Sequence, residues 1–150
     1  METTTKLSLQ LQSPAFEAGS NIPSRFTCDG EDISPALEIS GLPEDTRSLA
    51  LILDDPDAPH GTWTHWLVWN IAPTDKIAEG STPGIVGRNS SGKKSYSGPC
   101  PPGGTHRYYF KLYALDSMIS LREGATKQEL VRVMEPYILA TGELMGRYSR

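Results

Sequence analysis

Three polar residues stand where an apolar alternation would otherwise place core: Asp55, His65 and His106. Leu49, Leu51 and Leu53 lead with period two to Asp55. Trp63 and Leu67 flank His65 on the same alternation, and Tyr108, Phe110 and Leu112 follow His106. A buried carboxylate or imidazole is costly unless it is paired or hydrogen-bonded. Any one of the three reads as a strand exit where core meets water. All three, each beside a Pro-rich or Gly-rich loop or an aromatic, predict one shared polar pocket. Such a pocket suits an anion, because imidazoles and the Tyr108 phenol can donate to phosphate-type oxygens. His65 is expected to be the principal anion ligand, with one ring N–H held by Asp55 or Asp57 and the other left for the ligand. Affinity would then fall as pH rises through the imidazole range. The two aspartates repel a dianion, so an anion with partial proton character is preferred.

Two loops would frame that pocket. Asp54-Asp55-Pro56-Asp57-Ala58-Pro59 is acidic and stiff, since each proline fixes φ and removes a donor. It reads either as a preorganised wall or as a solvated surface turn. Gly98-Pro99-Cys100-Pro101-Pro102-Gly103-Gly104-Thr105 is denser in proline and glycine than a hairpin requires. Glycines let backbone approach a ligand closely, and successive N–H groups can form an anion nest. The run would also suit a cis X-Pro bond.

Enzymatic readings are weaker. No G-x-S-x-G elbow is present for a Ser-His-Asp triad. Cys100 near His106 has the residue types of Cys-His catalysis, but prolines flank it and no activating helix N-terminus is evident. Asp55, Asp57, His65 and His106 are acceptable metal ligands by type, yet they lack tight ligand spacing and rank below anion binding. Neither a metal nor another cofactor is expected. His60 reads as a solvated loop tip. Trp63, Trp66 and Trp69 read mainly as core, with a share in the mouth of an apolar pocket.

The elements that must position these residues are mostly strands. Period-two alternation marks Lys6 to Leu11, Ser48 to Asp55, Trp63 to Ile71 and His106 to Asp116. On the third of these, Trp63, His65, Leu67, Trp69 and Ile71 share one predicted face. One helix is predicted: Thr126 as N-cap, Glu129 closing a capping box, then Leu130, Val131 and Met134, with Pro136 as terminator. Gly142 resets the chain before a short closing strand, Glu143 to Ser149. Many short strands and one late helix predict an all-β sandwich with a small helical addition. One domain covers residues 1–150, without repeats or linkers.

Composition narrows the function classes. The chain has 150 residues, 37% of them apolar and 21% charged. That length supports its own core without a staple. The net charge of −4 disfavours generic nucleic-acid binding. Residues 1–80 hold 13 acidic and 4 basic side chains, and residues 81–150 hold 5 acidic and 10 basic. Dispersed basic residues predict that the two halves interleave and pair their charges. No stretch approaches the roughly 20 apolar residues of a membrane helix, and Met1 to Lys6 has no signal-peptide pattern. A cytoplasmic location is the expectation, and with it free thiols at Cys28 and Cys100 rather than a disulfide. The oligomeric state is left open, a homodimer included.

Asp55-Pro56-Asp57-Ala58-Pro59, Trp63-Thr64-His65-Trp66, Gly98-Pro99-Cys100-Pro101-Pro102 and His106-Arg107-Tyr108, in that order, resemble the phosphatidylethanolamine-binding protein family, which includes the Raf kinase inhibitor proteins. The resemblance spans nearly the whole chain. Cys28-Asp29-Gly30, Ser34-Pro35 and Gly142-Glu143-Leu144-Met145-Gly146-Arg147-Tyr148 are similar to its bacterial and archaeal branch. It implies a Greek-key antiparallel β-sandwich with a small pocket for phosphate-type anions or phospholipid head groups. The matching positions are Asp55, Asp57, Trp63, His65, Pro99, His106 and Tyr108. It also implies a non-enzymatic protein that restrains a kinase or a serine protease. The competing function is a small hydrolase using the Asp/His cluster. The chain departs from eukaryotic members in its short Pro59–Trp63 loop and in lacking their extended C-terminal helix.

Overall fold

The computed structural model describes residues 7–150. The strands are β1 (Leu7–Ser8), β2 (Gln10–Gln12), β3 (Leu37–Ser40), β4 (Ser48–Asp55), β5 (Trp63–Ile71), β6 (Lys76–Ile77), β7 (Ile85–Val86), β8 (Thr105–Leu115) and β9 (Ile138–Ser149). One α-helix, α1 (Lys127–Met134), precedes β9. The larger sheet runs β1-β9-β8-β4-β5-β7 and the smaller β2-β3-β6. All pairings are antiparallel except β1 with β9. The spatial order β8-β4-β5-β7 is that of a Greek key.

Two cores flank the larger sheet. Leu49, Leu51, Leu53, Phe110 and Leu112 face the smaller sheet and pack with Leu11, Ile39 and Ile77. Ala50, Ile52, Leu67 and Trp69 face the other way, under Leu130 and Met134 of α1. Every residue of β4 is therefore buried. The helix begins as expected, with Thr126 and Glu129 forming a reciprocal capping box. Its Val131 lies at the exposed edge.

Three strand expectations need correction. The Lys6–Leu11 alternation is two strands, because the chain crosses from the larger sheet (β1) to the smaller (β2) at Leu9; Lys6 lies outside the described residues. β9 is 12 residues long and begins before Gly142. Gly142 does not reset the chain: it pairs with Leu112, and a Cβ there would collide with the Leu9 side chain and carbonyl. The even alternation of β5 fails as well. Leu53 pairs with Trp66 and Asp54 with Thr64, so His65 is an extra residue, a β-bulge. Beyond it Trp66 and Val68 join the inter-sheet core, while Leu67 and Trp69 turn toward α1. A second irregularity, where Asn70 adopts φ 54°, returns Ile71 to the inter-sheet core.

Candidate functional site

The bulge, the end of β4 and the start of β8 meet at one end of the sandwich. There Asp55, Trp63, His65, His106 and Tyr108 line a cavity of about 400 Å³. Register explains the convergence. β4 lies between β5 and β8, with Leu53 opposite both Trp66 and Phe110. The polar ends of three inward faces therefore fall side by side. Neighbouring residues point elsewhere: Asp54, also buried, turns to the α1 side and bonds Thr64 Oγ1 (2.9 Å) and Lys127 Nζ (2.6 Å).

Asp55 is committed to the wall. Its Oδ1 accepts from the Asp57 N–H at 2.7 Å, and its Oδ2 lies 2.7 Å from His106 Nδ1. Because the carboxylate only accepts, the His106 proton sits on Nδ1, and Nε2 of the neutral ring is an acceptor. His65 has a different partner from the one expected. Its Nδ1 lies 2.7 Å from the Ser97 carbonyl, so Nδ1–H donates to backbone and no aspartate holds the ring. Burial pushes the His65 pKa below its ordinary value, partly offset by the Ser97 carbonyl and the Asp55 charge. The imidazolium expected at this position is thus disfavoured, and neutral His65 presents Nε2 as an acceptor.

Tyr108 stands between the two histidines. Its ring meets His65 edge-on at 5.4 Å and stacks on His106 at 6.4 Å. The hydroxyl is buried and meets no partner at good hydrogen-bond geometry, with the Asp55 carboxylate and the Cys100 backbone as its nearest polar neighbours. Burial, then the nearby Asp55 charge, pushes its pKa up, so it remains a protonated donor.

Asp57 and Pro99 stand outside the lining. Asp57 forms a two-pronged pair with Arg107, Oδ2 to Nε at 2.9 Å and Oδ1 to Nη2 at 2.8 Å, and also accepts the Arg107 N–H. These bonds hold its carboxyl down at about 2. The pairing answers the expected repulsion of an anion, since Arg107 balances the Asp57 charge. It also takes Asp57 out of any metal set with Asp55, His65 and His106. Among the described residues no group of three or more His, Cys, Asp or Glu is arranged to hold a metal ion. Pro99 accepts from the Cys28 N–H at 3.2 Å and fixes the Gly98–Gly104 loop. Gly98 is required there, because a Cβ would strike Phe26 O and Asp32 Oδ1. No described peptide bond is cis.

Residues 87–97 carry no motif that marks them as part of the site. Asn89 is buried and donates from Nδ2 to His65 O, Ser95 O and Ser97 Oγ, while its Oδ1 accepts from Ser91 and Lys93. It thereby shapes the loop whose Ser97 carbonyl orients His65 and whose Lys93 reaches the cavity wall. The only sequence signal is the Asn89-Ser90-Ser91-Gly92 turn, which says nothing of a long-range role.

The expectation of free thiols is overturned: Cys28 and Cys100 form a disulfide, and both line the cavity. The inference from a reducing compartment fails because it could not see that a separation of 72 residues closes to a Cα–Cα distance of 5.5 Å. No described helix is long and apolar enough to cross a membrane.

The pattern of the phosphatidylethanolamine-binding protein family matches residues 12–149. A UPF0098 protein of Archaeoglobus fulgidus is 52% identical over 144 residues, 91% of this chain; the chain spans 50% of that relative's length. A UPF0098 protein of Methanothermobacter thermautotrophicus is 46% identical, covering 95% of this chain and 99% of the relative. The crystal structure of a phosphatidylethanolamine-binding protein homologue from Chlamydia trachomatis superposes with a TM-score of 0.92 at 44% identity, over 95% of this chain and 98% of that one. YbcL of E. coli, described as a member of the mammalian PEBP family, gives 0.87 at 29% identity, over 95% and 99% of the two chains.

Proposed function

The chain belongs to the phosphatidylethanolamine-binding protein family, and from that premise we propose that its cavity binds a phosphate-type anion or phospho-head-group without turning it over. The buried Tyr108 hydroxyl, which meets no partner at good hydrogen-bond geometry, carries the proposal. A buried donor lacking an acceptor costs free energy that an incoming anionic oxygen would remove. Around it lie the Nε2 atoms of His106 and His65, each an acceptor when its ring is neutral, and, at the wall, Lys93. A singly charged phosphate monoester suits this set. Its P–O⁻ oxygens accept from Tyr108, and its remaining P–OH donates to His65.

Titration calorimetry with phosphoethanolamine, wild type against Tyr108→Phe, tests the assignment. A hydrogen bond to a charged group contributes about 1.5–3 kcal/mol, so affinity should fall about tenfold to a hundredfold. Equal affinities would remove Tyr108 from the site. The hydrolase alternative draws on the Asp55–His106 hydrogen bond, which resembles an acid–base pair. Prolonged incubation with phosphoester and ester substrates separates the two, because a binder saturates and an enzyme accumulates product. The family resemblance adds restraint of a kinase or serine protease as the outcome of binding. Inhibition assays with and without the anion test that part.

A further inference from the structure

Cys28 and Cys100 are exposed and meet at the cavity wall, where they are joined. Arg150 lies beside the bond. Its Nη1 is 3.3 Å from Cys100 Sγ and 3.9 Å from Cys28 Sγ. Two backbone hydrogen bonds with Gly104 anchor Arg150, and Asp29 Oδ2 lies 3.5 Å from its Nε. A cation against a sulfur favours the thiolate, and exchange is faster when the leaving thiolate is stabilised. The loop does not depend on the disulfide alone. Gly98 N–H donates to Asp32 at 2.7 Å, Cys28 N–H to Pro99 O at 3.2 Å, and Tyr96 OH to Phe26 O at 2.7 Å. These bonds hold the root of the loop, so opening the disulfide frees its tip, Cys100 to Gly103, and leaves the root attached.

We propose that Cys28–Cys100 is a reversible thiol–disulfide couple, opened by dithiols in the folded protein, that controls the cavity's hold on anions. The control of binding rests on the function proposed above; the couple itself does not. One thiolate of the dithiol attacks Cys28 Sγ. The S–S bond breaks, and its electron pair leaves on Cys100 Sγ beside Arg150. The dithiol's second thiolate then attacks its own sulfur in the mixed disulfide, closing the oxidised dithiol and releasing Cys28 as thiolate. Two electrons pass to the cysteine pair, and the two protons lost by the dithiol are available to the new thiolates through solvent. In the reduced state the loop tip is untethered and a Cys100 thiolate adds negative charge to the wall. Both effects weaken anion binding.

The test treats the full chain with excess dithiothreitol under native conditions. Thiols are counted by alkylation and intact mass, and the fold is followed by near-ultraviolet circular dichroism. We expect two alkylated cysteines with the tertiary signal retained, and reduction slowed about threefold or more in Arg150→Gln. Thiols that appear only in denaturant, or loss of the tertiary signal on reduction, would overturn the couple. An unchanged rate in Arg150→Gln would overturn the leaving-group role. Inorganic phosphate titrated into the oxidised and reduced proteins, and into Cys28→Ser/Cys100→Ser as a fixed open form, should bind several-fold more weakly to the latter two. Equal affinities would overturn the control of binding. Phosphate binding to neither redox form would overturn the anion-binding function, while the thiol count still decides the couple.

Discussion

At position 65, burial and hydrogen bonding act in opposite directions on one ring. Burial dominates, and the pKa is lowered. The Ser97 carbonyl fixes the proton of the neutral form on Nδ1. Nitrogen-detected NMR should therefore show the Nδ1–H tautomer, with a titration midpoint below the ordinary 6.5. A depressed histidine opposes folding when it charges, so its contribution is present above 6.5 and lost as pH falls through the lowered value. A midpoint at or above 6.5 would restore the imidazolium as the anion's partner. Asp57 titrates in a separate window. Its carboxyl is held at about 2 against an ordinary 3.8, first through the Arg107 side-chain bonds. Its stabilisation is present above 3.8 and lost as pH falls through about 2. Asp57→Asn should therefore flatten the acid limb of a stability-against-pH curve in that range; an unchanged limb would show that the Arg107 pair contributes nothing to stability.

Among the elements, β9 and α1 show two kinds of sequence signal. The capping box of α1 is local: Thr126 and Glu129 are three residues apart, and the side chain of each accepts from the other's backbone N–H. Thr126→Ala should cost about 0.5–2 kcal/mol in urea unfolding, and an unchanged midpoint would show that packing of Leu130 and Met134 holds the helix without its cap. Gly142, by contrast, stands mid-strand for a long-range reason, the approach of Leu9. The bulge at His65 belongs with Gly142. Period-two alternation locates β5 to the residue, yet face assignment beyond His65 depends on pairing with β4. Apolar residues on both sides of the bulge conceal it, since two cores accept either face.

For the whole molecule, the uneven charge of the two halves is resolved by strand order. β4 from the acidic half lies against β8 from the basic half, and Asp57–Arg107, Asp54–Lys127 and Asp29–Arg150 pair across them. The disulfide is the second link between distant parts of the chain. Closing a span of 72 residues restricts the unfolded chain, so Cys28→Ser/Cys100→Ser should lose about 2–5 kcal/mol of unfolding free energy. A typical domain has about 5–15 kcal/mol in hand, so the variant should remain folded with a lower melting temperature. No loss would show that the hydrogen bonds at the loop root suffice.

Sequence alone determined what is local or repeats with a short period. The bounds of β4 and β5, the cap of α1 and the polar ends at Asp55 and His106 are legible because side-chain alternation and capping act within a few residues. The motif order also pointed to the family. Tertiary structure decided which polar group meets which. Asp55 turned to His106 and not to His65, Asp57 to Arg107 outside the cavity, and Cys28 to Cys100. These pairings depend on register and on a single inserted residue in β5. A one-residue slip exchanges the faces of a strand, and nothing in the local pattern records it.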